Sequence, residues 1–306
     1  MEELEQKLGV EADLKTLSAV KAQPGKGRRL GAHLTITKGL DKAALFADSI
    51  GANTFQYFTR NPRGGAARLI GGEEIGRWQA ARQKHDIFPI VGHLPYTVNL
   101  AAGPGRLRDF ARMVLEEDLR RIAEIGGEVV VSHPGHYEGE GREEGIERLA
   151  QLVGVVLAEA GPGPVLCLEV MALQGSELGS LEDLEAIIKR LDSHPRLGVW
   201  LDSAHLFAAG WDLRKPEGCR ELVAELDRRV GLERVKGMHL NDSKAALGSR
   251  RDRHAKIGQG ELKDEGIAAL VNHPFLGSLP LLLETPVEKY EEYEQEIARV
   301  KGLLTD

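Results

Sequence analysis

The sequence predicts a parallel (β/α)₈ barrel, the TIM-barrel architecture, and three observations support this prediction. Eight short apolar runs recur between residues 30 and 306, each six or seven residues long and most of them rich in Val, Ile or Leu. Charged segments with helical periodicity separate the runs, as expected of alternating strands and helices. No GxGxxG follows the first run, so the alternative, an open doubly wound sheet, lacks its main dinucleotide-binding cue.

Each run is too short for most helices, so each is predicted as one strand. Two of the intervening segments, residues 108–126 and 143–161, have the helical pattern, and Gly126 and Gly161 are expected to end these helices. In chain order the predicted strands are LGAHLTI (30–36), NTFQYF (53–58), FPIVGH (88–93), EVVVSH (128–133), VLCLEV (165–170), LGVWLD (197–202), VKGMHL (235–240) and LPLLLET (279–285).

The composition is that of an ordinary globular protein, since 42% of the 306 residues are hydrophobic and 28% are charged. The acidic start lacks the apolar segment of a signal peptide, and no run approaches the ~18 residues of a membrane helix, so we expect a soluble, cytoplasmic protein. Residues 1–29 are expected to form an N-terminal extension and linker, and residues 30–306 a single barrel domain. Cys167 and Cys219 cannot make a disulfide framework.

Polar residues end six successive predicted strands, from the third to the eighth. Buried apolar runs exclude such side chains unless they have partners, and the carboxyl ends of barrel strands meet on the face that carries active sites. Three further candidates follow the sixth and seventh strands: His205, and the pair Asp252 and His254 in a Gly-flanked loop. The six strand-end residues are His93, His133, Glu169, Asp202, His239 and Glu284.

These five histidines and four carboxylates, with no nearby thiolate pair, predict Zn²⁺ ligation, with Mn²⁺ and Fe²⁺ as alternatives. Nine ligands are too many for one ion and enough for two or three. Three Zn²⁺ ions would add +6 to the formal net charge of −7, leaving about −1 overall. The four carboxylates contribute −4, so the site itself would be about +2 and could attract phosphate. Singly, Asp202 could cap a helix and Glu284 could form an ion pair. His85, His194 and His273 are expected to be surface residues.

Several segments resemble the endonuclease IV family of apurinic/apyrimidinic (AP) endonucleases, from about residue 30 to residue 300. The resemblance implies base-excision repair: hydrolysis of the phosphodiester 5′ to an abasic site by a trinuclear zinc mechanism, giving a 3′-hydroxyl and a 5′-deoxyribose phosphate. It also implies 3′-end trimming and a monomer that binds double-stranded DNA with abasic sites or blocked 3′ ends. The matching segments are GAHLTITKGL, ANTFQYFTRNPRG, GHLPYTVNLA, SHPGHY, LDSAHLFAAGWDL, GMHLNDSK, GSRRDRHAKIGQGEL and LLLETP.

The resemblance assigns roles to individual residues. The first ion would be held by His93, His133 and Glu169. Glu169 would bridge to a second ion, held also by Asp202, His239 and Glu284. The third ion would be held by His205, Asp252 and His254. The catalytic carboxylates would be Glu169 and Glu284, with Glu284 orienting the attacking hydroxide. The residues that penetrate the base stack would be Tyr96 and Arg63, and those that contact phosphates would be Lys244, Arg250, Arg251 and Arg253.

The chain departs from the family pattern in three places. After the bridging glutamate it reads EVMALQG instead of a Gly-rich turn, so Val170 and Leu173 are expected to add bulk near the metals. Gly64 and Gly65 stand where an aromatic residue often follows the arginine of TRNPRG. The second histidine of SHPGHY, His136, is displaced by one residue and receives no role.

Two other functions remain open at this point. A sugar isomerase or epimerase on the same kind of barrel would need one or two metals and an acid–base pair. It has no evident need for a third ion, so the set His205, Asp252 and His254 argues against it. A non-catalytic damage-binding protein, inactivated by the changed EVMALQG turn, is the second alternative.

Overall fold

The computed structural model describes residues 27–62 and 67–305, and in it the eight predicted strands close into one parallel barrel. Each predicted run contains one barrel strand, and the last strand pairs with the first, which excludes the open sheet. A separate antiparallel pair, β8 and β9, follows the seventh strand. The strands are β1 (Leu30–His33), β2 (Thr54–Phe58), β3 (Ile90–His93), β4 (Val129–Ser132), β5 (Val165–Glu169), β6 (Leu197–Asp202), β7 (Val235–His239), β8 (Asp242–Ser243), β9 (His254–Ala255) and β10 (Leu281–Leu283).

Helices follow the barrel strands and cover the outside of the barrel. Three short 3₁₀ turns, at Leu232–Arg234, Leu276–Ser278 and Tyr290–Glu292, complete the described part. No helix there is long and apolar enough to cross a membrane. The helices are α1 (Leu40–Ser49), α2 (Gly72–Lys84), α3 (Arg106–Glu124), α4 (Arg142–Glu159), α5 (Leu181–Arg190), α6 (Ser203–Ala209), α7 (Pro216–Arg229), α8 (Lys263–Asn272) and α9 (Tyr293–Gly302).

The two helices predicted from their periodicity, α3 and α4, lie within two residues of the expected bounds, but only one ends as expected. Gly126 has a φ of 71°, the left-handed conformation that glycine adopts after a helix. The second helix ends without a left-handed residue, because Ala160 after it is extended, with φ −76° and ψ 124°. Gly161 therefore follows the helix without capping it.

Side chains fill the interior of the barrel below its carboxyl end, so the barrel has a solid floor. The largest of them is Trp200 on β6, which is fully buried and packs against Cys167 and its neighbours. Gly237 on the adjacent strand makes room for it, since a Cβ at that position would lie 2.1 Å from the indole ring. Both cysteines are buried and unpaired. The floor confines any bound group to the layer above it.

The N-terminal prediction lies largely outside the described residues, as do Arg63, Gly64 and Gly65. The last three residues of the predicted extension are described. Arg29 pairs with Asp86 at 3.0 Å, and the Arg28 guanidinium donates to the carbonyl of Val271. The chain thus contacts the barrel before β1 begins.

Candidate metal centre

The six strand-end residues lie together at the carboxyl end of the barrel, as predicted. Each is the last residue of its strand or directly follows it, and the parallel arrangement brings these ends to one face. Ligand atoms fall into four overlapping groups, and within each group they lie within 4.8 Å of one another. The groups are His93, His133 and Glu169; Glu169, Asp202 and His239; His93, His239 and Glu284; and Asp202, His205 and His254.

The ninth predicted residue, Asp252, completes this cluster from the loop after β8. Its carboxylate oxygens lie 3.4 Å from Nε2 of His205 and 3.1 Å from Nε2 of His254. The loop is held in place by Asp242, a fully buried residue that accepts hydrogen bonds from the backbone N–H groups of Gly260 (2.8 Å) and Leu262 (2.9 Å). Asp242 thereby anchors the end of the segment that carries Asp252 and His254.

Glu169 lies at the centre of the cluster, and its two oxygens face different histidines. Oε2 is 3.2 Å from Nε2 of His93 and 3.6 Å from Nε2 of His133, whereas Oε1 is 3.2 Å from Nδ1 of His239. Burial alone would raise the pKa of this carboxyl, but the surrounding histidines, His239 and His133 foremost, hold it well below its usual range. An ionised carboxylate divided in this way can bridge two cations.

Asp202 serves the local fold and the cluster at the same time. Oδ1 caps α6 by accepting the backbone N–H of His205 at 2.9 Å, so the helix-capping role considered from the sequence is correct. Oδ2 accepts a hydrogen bond from Asn241 at 2.7 Å and lies 3.6 Å from Nε2 of His254. The short turn into α6 therefore places Asp202 and His205 beside one another.

The hydrogen bonds of the histidines suit metal ligation. Protein ligands of this kind donate their second ring N–H to an acceptor, which fixes the tautomer and leaves the other nitrogen for the metal. Nδ1 of His93, His205 and His254 each lies within 3.2 Å of a backbone carbonyl, those of Leu94, Val170 and Glu284 respectively. The opposite nitrogens of all three rings face the carboxylates of the cluster.

Two buried nitrogens show that the donor set fits divalent cations. Nε2 of His205 and Nε2 of His254 have no hydrogen-bond partner, although Asp252 lies close to both. Burial lowers the pKa of His254, yet the charges of Asp202 and Asp252 outweigh it and raise that pKa to about 9. Burial of His133 is not outweighed in this way and lowers its pKa to about 4, so this imidazole is neutral at pH 7. Buried carboxylates that attract a proton so strongly would equally attract a metal ion.

Three residues of this site were not predicted from the sequence. His33 ends β1 and its Nδ1 lies 3.0 Å from Oε1 of Glu284. The predicted first run extends to residue 36, so His33 lay within it, and its position at the strand end is known only from the structure. Gln56 and Asn241 are fully buried amides, and Asn241 joins Asp202 to the backbone N–H of Glu284. Neutral amides in apolar runs carry no comparable signal.

Five of the six residues expected to contact DNA are described, and they lie at the rim of this face. Tyr96 is 53% exposed, and its ring lies 6.3 Å from that of Phe58. The four predicted phosphate contacts are exposed and line a cleft of about 470 Å³ together with Gln174, Ala245 and Ser249. None of the four forms an ion pair within the described part of the chain, so their charges are free for a ligand. They are Lys244, Arg250, Arg251 and Arg253.

The remaining histidines lie outside the cluster, and three of them are half-buried where exposure was expected. His85 pairs with Asp48 at 2.8 Å. The Nδ1 atoms of His194 and His273 accept backbone N–H groups, from Arg196 and Phe275 respectively, each at 3.2 Å. These three residues serve local structure.

The EVMALQG turn contacts the cluster differently from the sequence-based expectation. The side chain of Val170 packs in the main hydrophobic core, and what it presents to His205 is its carbonyl oxygen. Leu173 is half-buried and has a φ of 61°, a left-handed conformation that costs a non-glycine residue about 1–2 kcal/mol. The glycine-rich turn that the family resemblance implies at this place would adopt the same left-handed conformation without that cost.

Leu173→Gly is therefore expected to stabilise the protein by about 0.5–1 kcal/mol, because relief of the strain exceeds the extra entropy of an unfolded glycine. Urea unfolding of the variant measures this gain. Leu247→Gly is the control, since Leu247 is an exposed turn leucine whose φ is not positive. A loss of stability in both variants would show that the Leu173 backbone is unstrained.

The closed barrel and its layer of histidines and carboxylates define a xylose isomerase-like TIM barrel, and the family model of that description matches residues 44–303. A probable endonuclease 4 of Moorella thermoacetica is 62% identical over 276 residues, covering 90% of this chain and 99% of the relative. The chain belongs to the endonuclease IV family.

Solved structures agree with this assignment. Endonuclease IV from Thermus thermophilus superposes with a TM-score of 0.79 at 34% identity, covering 90% of this chain and 98% of that one. A D-tagatose 3-epimerase-like protein superposes with a TM-score of 0.64 at 19% identity, covering 90% and 98%. At that identity the second likeness shows a shared fold alone.

Proposed function

We propose that this protein is an AP endonuclease of base-excision repair, which hydrolyses the phosphodiester 5′ to an abasic site and leaves a 3′-hydroxyl and a 5′-deoxyribose phosphate. The observation that carries the proposal is the convergence of all nine candidate ligands at the carboxyl end of the barrel, in a member of the endonuclease IV family. Trimming of blocked 3′ ends would use the same site, because it breaks the same kind of bond.

The residues would share three divalent ions, which we propose to be Zn²⁺. Five histidines and four carboxylates suit Zn²⁺, Mn²⁺ or Fe²⁺, and Glu169 would be shared between two of the ions. When bound, such ions supply positive charge to the phosphodiester and a water nucleophile at neutral pH. The neighbouring His239 and His33 keep the pKa of Glu284 well below its usual range despite burial, so its Oε2 is available to accept a hydrogen bond from the attacking water.

The rim would bind the damaged duplex. An abasic nucleotide has no base to unstack, so its extrusion costs less than the few kcal/mol of an intact nucleotide. The exposed ring of Tyr96 is free to fill the resulting gap in the stack, and Arg63 is the second candidate for this role. The cationic cleft of Lys244 and Arg250 would contact the phosphates beside the lesion.

A sugar epimerase is less well supported. Its reaction needs no cluster as large as this one, and neither the outer set around His205, Asp252 and His254 nor the unpaired arginines of the rim has an evident use for a neutral sugar. A polyanionic substrate accounts for both features.

Incision of a labelled duplex with one abasic analogue tests the proposal. A single nick on the 5′ side that leaves a 3′-hydroxyl is expected, with none in an intact duplex and none after prolonged chelation. Glu284→Gln should lower the incision rate at least about a hundredfold while duplex binding persists, because the amide cannot replace the carboxylate acceptor. Glu288→Gln, the same change at an exposed position four residues on, is the control.

One outcome would reject the proposed activity, and another would reject only the role of Glu284. Fully metallated protein that binds abasic duplex without nicking it would favour a damage-binding role. Unchanged incision by Glu284→Gln would remove Glu284 from the chemistry while leaving the nuclease assignment intact.

A further inference from the structure

A single glutamine connects two of the candidate ligands. Gln56 lies on β2 in an otherwise apolar run and is fully buried. Its Nε2 donates to Oε1 of Glu284 at 2.6 Å, and its Oε1 lies 2.8 Å from Nε2 of His239. The three residues come from β2, β7 and the end of β10, so the fold alone brings them together.

The orientation of this amide follows from its partners. An ionised carboxylate can only accept hydrogen bonds, so the NH₂ group of Gln56 must face Glu284 and the carbonyl oxygen must face His239. The carbonyl oxygen can only accept, so the proton of His239 resides on Nε2. Nδ1 of His239 then faces Oε1 of Glu169 and Oε2 of Glu284, each 3.2 Å away, and its lone pair would be available to a bound cation.

The same amide also divides the two oxygens of Glu284. Oε1 accepts from Gln56 and lies 3.0 Å from Nδ1 of His33. That Nδ1 also lies 2.9 Å from Nε2 of Gln56, and its donation to the charged oxygen of Glu284 is the stronger of these two possible hydrogen bonds. Oε2 is left to face the nitrogen of His239 in the cluster. Gln56 thus orients Nδ1 of His239 and Oε2 of Glu284 toward the same part of the cluster.

His239 differs in this respect from the other histidines with an assigned tautomer. His93, His205 and His254 donate to backbone carbonyls, which no substitution of a side chain can remove. His239 depends on the side chain of Gln56. The orientation of His239 can therefore be altered by a mutation that touches no ligand.

We propose that Gln56 is a positioning residue of the metal centre, which orients His239 and Glu284 toward one ion and thereby sets the affinity for that ion. This inference rests on the proposed metal centre. Both polar atoms of the amide are already engaged, so Gln56 acts through its two partners and is not itself a ligand. Outer partners of metal ligands typically contribute 10–100-fold to affinity.

Three variants separate this role from simple packing. Gln56→Met keeps the length of the side chain and removes both hydrogen bonds. Gln56→Glu keeps the shape and the acceptor for His239 but replaces the donor to Glu284 with a second negative oxygen. Thr54→Val is the control: Thr54 lies two residues earlier, so on the same face of β2, and is equally buried, but its hydroxyl bonds to the carbonyl of Pro89.

The measurement is metal content by elemental analysis after dialysis of the zinc-loaded proteins against graded chelator. Gln56→Met is expected to lose one ion at a chelator strength that corresponds to a 10–100-fold weaker affinity, with the other ions retained. Gln56→Glu should lose the same ion, whereas a packing role predicts no change for a side chain of the same shape. Thr54→Val should match the unmodified protein.

The outcomes distinguish this inference from the proposed function. Unmodified protein that holds zinc, together with Gln56→Met and Gln56→Glu proteins that release it at the same chelator strength, would overturn the positioning role alone. Unmodified protein that holds no zinc would overturn the metal centre and this inference together. If Gln56→Met fails to fold, the isosteric Gln56→Glu decides the question by the same measurement.

Discussion

Glu169→Gln is expected to reduce incision of abasic duplex at least about a thousandfold, the largest catalytic loss of any single substitution in the cluster. Its two oxygens are divided between His93 on one side and His239 on the other, so it is the residue best placed to join two ions. An amide offers one oxygen and no charge, and its NH₂ group would face a ring nitrogen that needs an acceptor or a metal. A thousandfold loss corresponds to about 4 kcal/mol of barrier.

The metal content of the same variant shows whether this loss has the expected cause. Elemental analysis should find fewer ions in Glu169→Gln than in the unmodified protein, because in the proposed centre two neighbouring ions would lose a ligand at once. Glu177→Gln is a matched control, since Glu177 lies in the following turn, belongs to none of the ligand groups and bonds locally to Gln174. Full activity and full metal content in Glu169→Gln would show that the cluster does not depend on a bridging carboxylate.

The strand-end residues could be predicted from the sequence because two simple regularities coincide there. A short apolar run fixes where a strand ends, and the barrel brings all the ends to one face, so a histidine or carboxylate at each end must share a site. Glu169 and Asp202 illustrate this, since each is the last residue of its strand and both are fully buried. His33 also ends a strand in the structure, but the apolar run LGAHLTI continues beyond it, so the sequence did not mark it as a strand end.

The supporting residues could not be predicted in the same way. Gln56 contacts His239 across 183 positions of sequence. Nothing in NTFQYF distinguishes an amide that hydrogen-bonds to a candidate metal-ligating residue from one that faces solvent. The left-handed backbone of Leu173 is likewise invisible in the sequence, because leucine rarely adopts it. Long-range hydrogen bonds and backbone strain become apparent only in three dimensions.

A second large effect is expected far from the chemistry, at Asp118 on α3. This carboxylate is fully buried and accepts hydrogen bonds from Thr59 (2.6 Å) and from two nitrogens of Arg60 (3.0 and 2.7 Å). The side chain of Arg60 is itself only 3% exposed. Removal of one partner from such a pair leaves the other charge buried without compensation, which costs about 3–5 kcal/mol.

Asp118→Ala should therefore lower the free energy of unfolding by about 3–5 kcal/mol, as measured by urea unfolding of metal-loaded protein. Glu117 provides the control, because it is the adjacent residue of the same helix and contacts the same arginine at 3.0 Å, yet its side chain is 42% exposed. Glu117→Ala should cost no more than about 1 kcal/mol, as exposed ion pairs do. Equal losses in the two variants would show that burial of the pair does not set its contribution.

The Asp118 pair also connects stability to the rim of the site. On the same helix, Arg121 donates to the carbonyl of Thr59 at 3.0 Å and to that of Arg68, so α3 anchors a described residue on each side of Arg63 in the sequence. Loss of Asp118 frees Arg60 and Arg121 from their shared carboxylate and should weaken the anchoring of Thr59 and Arg68. We therefore expect Asp118→Ala, at temperatures where it stays folded, to bind abasic duplex more weakly while its zinc content is unchanged. Unchanged duplex binding would mean that binding does not depend on this anchor.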